Sequence, residues 1–441
     1  MSLLPIYRIA LLIICTLITG TIYGDELLRH IKNKAIILNT SNCLSPLIKA
    51  ASEKKLVLLG EASHGTHEYY TWRDSISRRL ITEHGFNFIA VEGDFASLFE
   101  INRYVKDLPG AAKSAEEAMI GLNRWPQWMW GNHDVLSLVK WLRSHNDRLP
   151  QDQKIGFYGM DVYDEWRSKE VLLELSLKVG TELHRQVMEL LKCFALYWGD
   201  SWAYAHDARK TGIDCSASTE ELVNLILQYR PGLDKISDYD FFYAIQNAHV
   251  INNAEMFFRK SAAGMSAAAW NARVFHMHNT LIRLLQVYGQ HSKGIVWAHN
   301  THIGDAQFTE MKNYGQTNIG ELTRKHFGID QVSLIGFTTY KGKVLAGAQW
   351  GGARQVMTVR EAPQKSLEGI LKRTGIESFY MLFEYEDRNH KDFMKPLGNR
   401  AIGVIYNPQY DSRQYVQTIV PMRYDALIFF DNTTELQPLR R

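Results

Sequence analysis

Residues 56–70 read LVLLGEASHGTHEYY. Leu56 to Leu59 form a short apolar run stopped by Gly60, which fits a buried strand better than a helix of useful length. Glu61, His64, His67 and Glu68 then crowd into a loop that also holds Gly65. Polar groups at the carboxyl end of a strand mark the ligand crevice of an α/β protein, because the loops of a parallel sheet converge there. Two familiar readings fail. Gly60 and Gly65 have the glycine spacing of a phosphate-binding loop, but Thr66 occupies the lysine position, so little there would hold the phosphates. Ser63 has Glu61 rather than glycine two residues before it, and Gly-x-Ser-x-Gly occurs nowhere else, which rules out a nucleophile elbow. A histidine–carboxylate site without an obvious serine or cysteine nucleophile remains.

The same pattern repeats outward from this stretch. Strands are expected at 86–91, ending in Glu92-Gly93-Asp94, at 154–160, ending in Asp161, and at 294–298, ending in His299-Asn300-Thr301-His302. Further strand signals lie at 332–337, 379–383, 402–406 and 427–430. Helical periodicity fills 70–84, with Trp72, Ile76 and Leu80 spaced by four and Gly85 as the stop, and also 96–105 and 135–143. From 165 to about 290 strand signals almost vanish. The expectation is an α/β fold: a mostly parallel sheet flanked by helices, in core parts 25–164 and 293–441, with a large helical insertion or cap over 165–292. An open sheet is preferred to an eight-stranded barrel because of that insertion.

The chain has 441 residues, 46% apolar and 22% charged, with a net charge of +3. A balance so near neutrality argues against nucleic-acid or membrane-surface binding. Aromatics reach 12%, with eleven tryptophans, as a large core and an apolar cleft would both require. Trp125, Trp128 and Trp130 are assigned mostly to core, with one of them at the cleft. Arg8 followed by the apolar run 9–18 reads as a signal-peptide h-region, too short to span a bilayer comfortably. Cleavage near 20–24 would export the protein to the periplasm or medium and leave no stable membrane span. The exported chain would keep Cys43, Cys193 and Cys215, whose spacing matches no zinc site. Cys193 and Cys215 read either as a disulfide or as buried free thiols.

Glu61 and His64, Glu92, Asp161, and His299 and His302 each follow a strand end, so a parallel sheet gathers them along one edge. His64 is the first candidate for a general base, with Glu61 or Glu92 fixing its tautomer and stabilising the imidazolium. These residues resemble the erythromycin esterase family. The resemblance runs through Gly-Glu-x-x-His-Gly at 60–65, Arg73, Val-Glu-Gly at 91–93, Tyr-Gly-x-Asp at 158–161, Asn-x-Arg at 271–273 and His-Asn-x-His at 299–302. It implies that His64 activates water against a macrolactone ester, supported by Glu61 and Glu92. Arg73, Arg273, His299 and His302 would line the cleft with Asp161, and no metal, cofactor or covalent intermediate would take part. The chain departs from the family pattern at Val274 and His278, beside Arg273, which bears on substrate choice.

Blander readings stand beside these. Arg73 would pair with Asp74 or Glu68 at the surface, Arg273 would only pack, and His67 would face the far side of its loop. Two other functions compete. A metal-dependent hydrolase would use His64-x-x-His67 and His299-x-x-His302 with Glu61, Glu92 and Asp161 as nitrogen and oxygen ligands. A non-catalytic envelope-biogenesis or binding protein would keep the pocket alone. The expected ligand is a small molecule, large for its class and mostly apolar, with one cationic group met by the acidic strand ends.

Overall fold

A computed structural model describes residues 26–229 and 237–439. The apolar run 9–18 and the cleavage region 20–24 lie outside them. The sheet has nine strands: β1 Ile36–Ile37, β2 Leu56–Leu59, β3 Phe88–Asp94, β4 Gly156–Asp161, β5 Gly294–Trp297, β6 Val332–Gly347, β7 Arg354–Val359, β8 Ser378–Leu382 and, numbered after two strands outside this sheet, β11 Ala426–Thr433. Their order is β1-β8-β11-β6-β2-β5-β3-β4, with β7 added to β6. From β11 to β4 every neighbouring pair is parallel, whereas β8 runs antiparallel to β11 and β1, and β7 antiparallel to β6. The sheet is therefore mixed, mostly parallel and open.

Alternation along the strands explains why it is buried on both faces. Leu56, Leu58, Phe88 and Ala90 enter one apolar cluster, and Val57, Leu59, Ile89 and Val91 enter the other. A one-residue slip of β2 would exchange the two sets, and each buried Leu or Val contributes roughly 1.5–3 kcal/mol. The second cluster is covered by the helices His67–His84 and His133–Asn146, which supply Ile76, Leu80, Val135, Leu138 and Leu142. The first is covered by helices of the 165–288 stretch, chiefly Glu165–Val179, Asp238–Ala262 and Ser266–Tyr288. Their buried residues form one continuous core with the sheet. Cys193 and Cys215 form a disulfide within this helical layer, their Cα atoms 5.9 Å apart.

Several expected boundaries move. Residues 402–406 are not a strand: Ile402 and Ile405 make single bridges to Ser63 and Gly347. Their apolar character comes from packing, since Ile402 and Tyr406 are buried with Val344, Ala346 and Val359. The strand nearby is β9 Leu397–Arg400, paired with β10 Tyr415–Thr418 in a separate two-stranded sheet. β6 continues ten residues past the expected end at 337 and turns back through β7. The helix expected at 70–84 starts at His67 and stops as expected at Gly85, whose φ of +68° suits the missing side chain.

The site follows from the strand order. β2, β5, β3 and β4 are consecutive neighbours, so the polar groups that follow them sit side by side.

Candidate active site

The loop after β2 is fastened from several sides. Gly60 N–H donates to Ile335 O at 2.8 Å, Asn300 N–H to Glu61 O at 2.8 Å and Ile402 N–H to Ala62 O at 2.7 Å. Leu345 and Leu436 both donate N–H to Gly65 O at 3.0 Å. Only glycine fits at 65, because a Cβ there would lie 1.9 Å from Leu345 O. The long β6 thus braces the loop from beneath, and Asn300 ties it to β6 by donating Nδ2–H to Phe337 O at 2.7 Å.

Glu61 is fully buried between two partners. Arg73 Nη2 donates to Oε2 at 2.8 Å, and His64 Nδ1 lies 2.8 Å from Oε1. An ionised carboxylate can only accept, so the Nδ1 proton points to Glu61 and the Nε2 lone pair of a neutral His64 stays free. Burial alone would pull the His64 pKa down, but the Glu61 hydrogen bond and the Glu92 and Glu61 charges outweigh it, and the value is raised. Arg73 is itself fully buried, its guanidinium over the Tyr70 and Trp297 rings at 4.3 and 4.8 Å.

Arg273 joins the other strand ends. Its Nε and Nη2 donate to Asp161 Oδ1 and Oδ2 at 2.8 and 2.6 Å, and Nη2 also reaches Glu92 Oε1 at 2.8 Å. Glu92 Oε2 accepts the His299 backbone N–H at 2.8 Å, and His302 Nε2 lies 3.2 Å from Oε1. Burial would push the Glu92 pKa up, but His302, His64 and Arg273 hold it well below the ordinary carboxylate value. His302 stacks on Trp270 at 4.6 Å.

His299 is the neutral counterpart of His64. Its Nδ1 lies 2.8 Å from Thr301 Oγ1 and 3.3 Å from the Thr301 backbone N. Burial and the neighbouring His64 drive its pKa well down. The Ala62 carbonyl favours a proton on this ring, yet Nε2 is buried without a hydrogen bond of ordinary geometry. The His64 and His299 rings stand 4.9 Å apart and are tilted 44° to each other.

Beside this network lies a cleft of about 130 Å³, whose wall His299 and His302, contrary to expectation, do not reach, because both are buried behind Glu92. His64, Glu92, Asp161 and Arg273 line it with Trp130, as do Asp94, Arg124, Tyr163 and Trp350, which the sequence reading did not select. Asp94 had a signal of its own, in the Glu92-Gly93-Asp94 strand end. Trp350 had none, because only the β6–β7 turn carries it there. The tryptophan run divides as expected: Trp128 and Trp130 are buried, and Trp130 both lines the cleft and donates Nε1–H to Glu92 O at 3.0 Å.

Three expectations change. Arg73 lies behind Glu61 and is absent from the cleft wall, so it does not line the cleft; nor does it pair with Asp74 or Glu68. His67 turns to Asp134 Oδ2 at 2.8 Å, so His64-x-x-His67 does not converge as a ligand pair. Among the described residues no group of three or more His, Cys, Asp and Glu side chains is arranged to hold a metal. Glu61, Glu92 and Asp161 each carry an arginine partner, so the strand ends are not an open acidic surface for a cationic ligand. Arg273, in contrast, reaches the cleft.

The erythromycin esterase family profile matches residues 81–433. The chain is 21% identical over 358 residues to the erythromycin esterase type II of Escherichia coli, covering 77% of this chain and 83% of that protein. Two solved structures share the fold. A succinoglycan biosynthesis protein superposes with a TM-score of 0.76 at 19% identity, covering 94% of this chain and 98% of that one. A mutant of the erythromycin esterase EreC in its open conformation superposes with 0.65 at 17% identity, covering 90% and 95%. The match across four-fifths of the sequence, on a sheet that gathers His64, Glu92, Asp161 and His299 at one edge, means that the chain belongs to the erythromycin esterase family.

Proposed function

We propose that the protein hydrolyses an ester or lactone by direct addition of water, with His64 as general base. The observation that carries this is the buried Arg73–Glu61–His64 chain, which fixes the tautomer and leaves Nε2 as the free nitrogen. Water bound at His64 Nε2 gives its proton to His64 as its oxygen attacks the carbonyl carbon. The carbonyl electron pair moves onto oxygen, where Arg273 supplies positive charge and a remaining Nη1–H. Collapse breaks the acyl C–O bond, and the leaving alkoxide takes the proton back from His64.

The family resemblance makes a macrolide lactone the finer expectation; Val274 packs in the core and His278 against His326, and neither lines the cleft. Drug-sized ligands occupy clefts of about 300–1,000 Å³, against about 130 Å³ here, so a macrolide would require the walls to part. We also propose export, on the apolar run 9–18 and the Cys193–Cys215 disulfide, which belongs to oxidising compartments.

Hydrolysis in H₂¹⁸O tests the reaction. One labelled oxygen is expected in the released carboxylate without a burst phase, and His64→Ala should lower kcat by ~10²–10⁴-fold. Chelator-treated enzyme is expected to keep its rate. A covalent acyl-enzyme, retention of more than about a tenth of kcat by His64→Ala, or loss of activity restored by stoichiometric Zn²⁺ would each overturn this assignment.

A further inference from the structure

Part of the cleft has no task in the hydrolytic step. Arg124 donates Nε–H and Nη2–H to the two oxygens of Asp94, both at 2.6 Å, and Nη1–H to Trp125 O at 2.8 Å. A guanidinium has five N–H donors, so the remainder lack protein partners among the described residues. The pair lies in the cleft wall under an aromatic rim. Trp350 stands 4.7 Å from Trp125 and 6.3 Å from Tyr163, ring centre to ring centre. The guanidinium carbons of Arg124 and Arg273 each lie 5.0 Å from the Tyr163 ring. Trp350 rides on the β6–β7 turn and is 55% exposed, an apolar plate left open at the mouth of the cavity.

Size, rim and donors together select a ligand. The cavity beside His64 holds a short acyl arm but neither a long chain nor a macrocycle. A sugar ring has C–H-rich faces that pack on aromatic plates and hydroxyl edges that pair with carboxylates and guanidinium N–H groups. The charges here are already paired, which suits a neutral ester. We propose that the substrate is a short-chain O-acyl ester of a saccharide, with its acyl arm in the cavity and its sugar on Trp350, Tyr163 and Trp125, where the Arg124–Asp94 pair meets its hydroxyls. This rests on the hydrolase reading and names its substrate class. Water and the acyl ester give carboxylate, sugar hydroxyl and one proton: the acyl C–O bond breaks, a new C–O bond forms to water oxygen, and His64 returns its proton to the sugar alkoxide.

The test is acid release by the full-length mature protein from 6-O-acetylglucose, acetylated xylo-oligosaccharides, ethyl acetate, a p-nitrophenyl palmitate and a 14-membered macrolide. An aromatic face is worth roughly tenfold in affinity, so kcat/KM for the acetyl sugars should exceed that for ethyl acetate by at least that factor. Trp350→Ala, at an exposed turn, should bring the ratio close to unity, and Arg124→Met should raise KM for the sugars more than it lowers kcat. Equal rates on acetyl sugars and ethyl acetate, a preference for the palmitate or the macrolide, or a sugar preference that survives Trp350→Ala would overturn the proposal and leave the hydrolase standing. No release from any ester, with His64→Ala indistinguishable from wild type, would overturn the hydrolase reading itself.

Discussion

At the scale of single residues, His64 sets the pH dependence. A base must be neutral to accept a proton, and its raised pKa places the acid limb of kcat/KM above the ordinary histidine value of 6.5. Glu61→Gln removes the partner charge, so the limb should move to lower pH as the maximal rate falls. A limb unmoved by that change would show that another group titrates. The same shift has a stability consequence of opposite sense. The native state favours the charged ring, so the contribution of His64 is complete below 6.5 and is lost as pH rises through the raised value. Arg73 calls for a different test because it and Glu61 are both fully buried. Arg73→Met strands a buried carboxylate, at a cost of about 3–5 kcal/mol. Thermal melts should fall steeply and kcat should drop with KM little changed. A raised KM with a normal melt would place Arg73 at the substrate instead.

At the scale of elements, the loop after β2 is rigid because neighbours hold it. β6 passes beneath Gly65, β5 leads into Asn300, and residues Ile402 and Leu436 each add a backbone bond. Gly65→Ala forces a methyl group onto Leu345 O, C and N, and these strand backbone atoms have little room to yield. A loss of roughly 1–3 kcal/mol or more is expected, with a loss of kcat because the same loop carries Glu61 and His64. Chemical denaturation and steady-state kinetics read the two effects. Normal stability and rate would mean that β6 can move, and that the loop is not held by it.

For the whole molecule, the Cys193–Cys215 bridge closes a segment with a sequence separation of 22 in the helical layer. Loop closure of that length is worth about 3 kcal/mol. The double variant Cys193→Ser/Cys215→Ser should therefore melt lower while keeping its kcat, since neither cysteine lines the cleft. Thiol labelling of the unreduced, denatured mature chain should modify Cys43 and neither of these two. Labelling of all three would refute the bridge, and with it one support for export.

The sequence by itself determined the parallel centre of the sheet, the order of the chemical loops and most of the reacting groups. Alternating burial in β2 and β3 and polar residues at strand ends are local patterns, set by the two-residue period of a strand. His64, Glu92, Asp161 and His299 could be placed together on that basis alone. Only the tertiary structure decided who partners whom. Arg273 meets Glu92 across 181 residues of chain, and no spacing says that it, rather than Arg73, reaches the cleft. Arg73 and His67 lie within ten residues of His64 and yet turn away from the cleft, one to brace Glu61 and the other to Asp134. The apolar run 402–406 looked like a strand because burial was legible and backbone pairing was not. Trp350 enters the site only because β6 overshoots the sheet and folds back. Charge pairing and wall-building depend on distances between separate loops, which are fixed by the packing of the whole molecule.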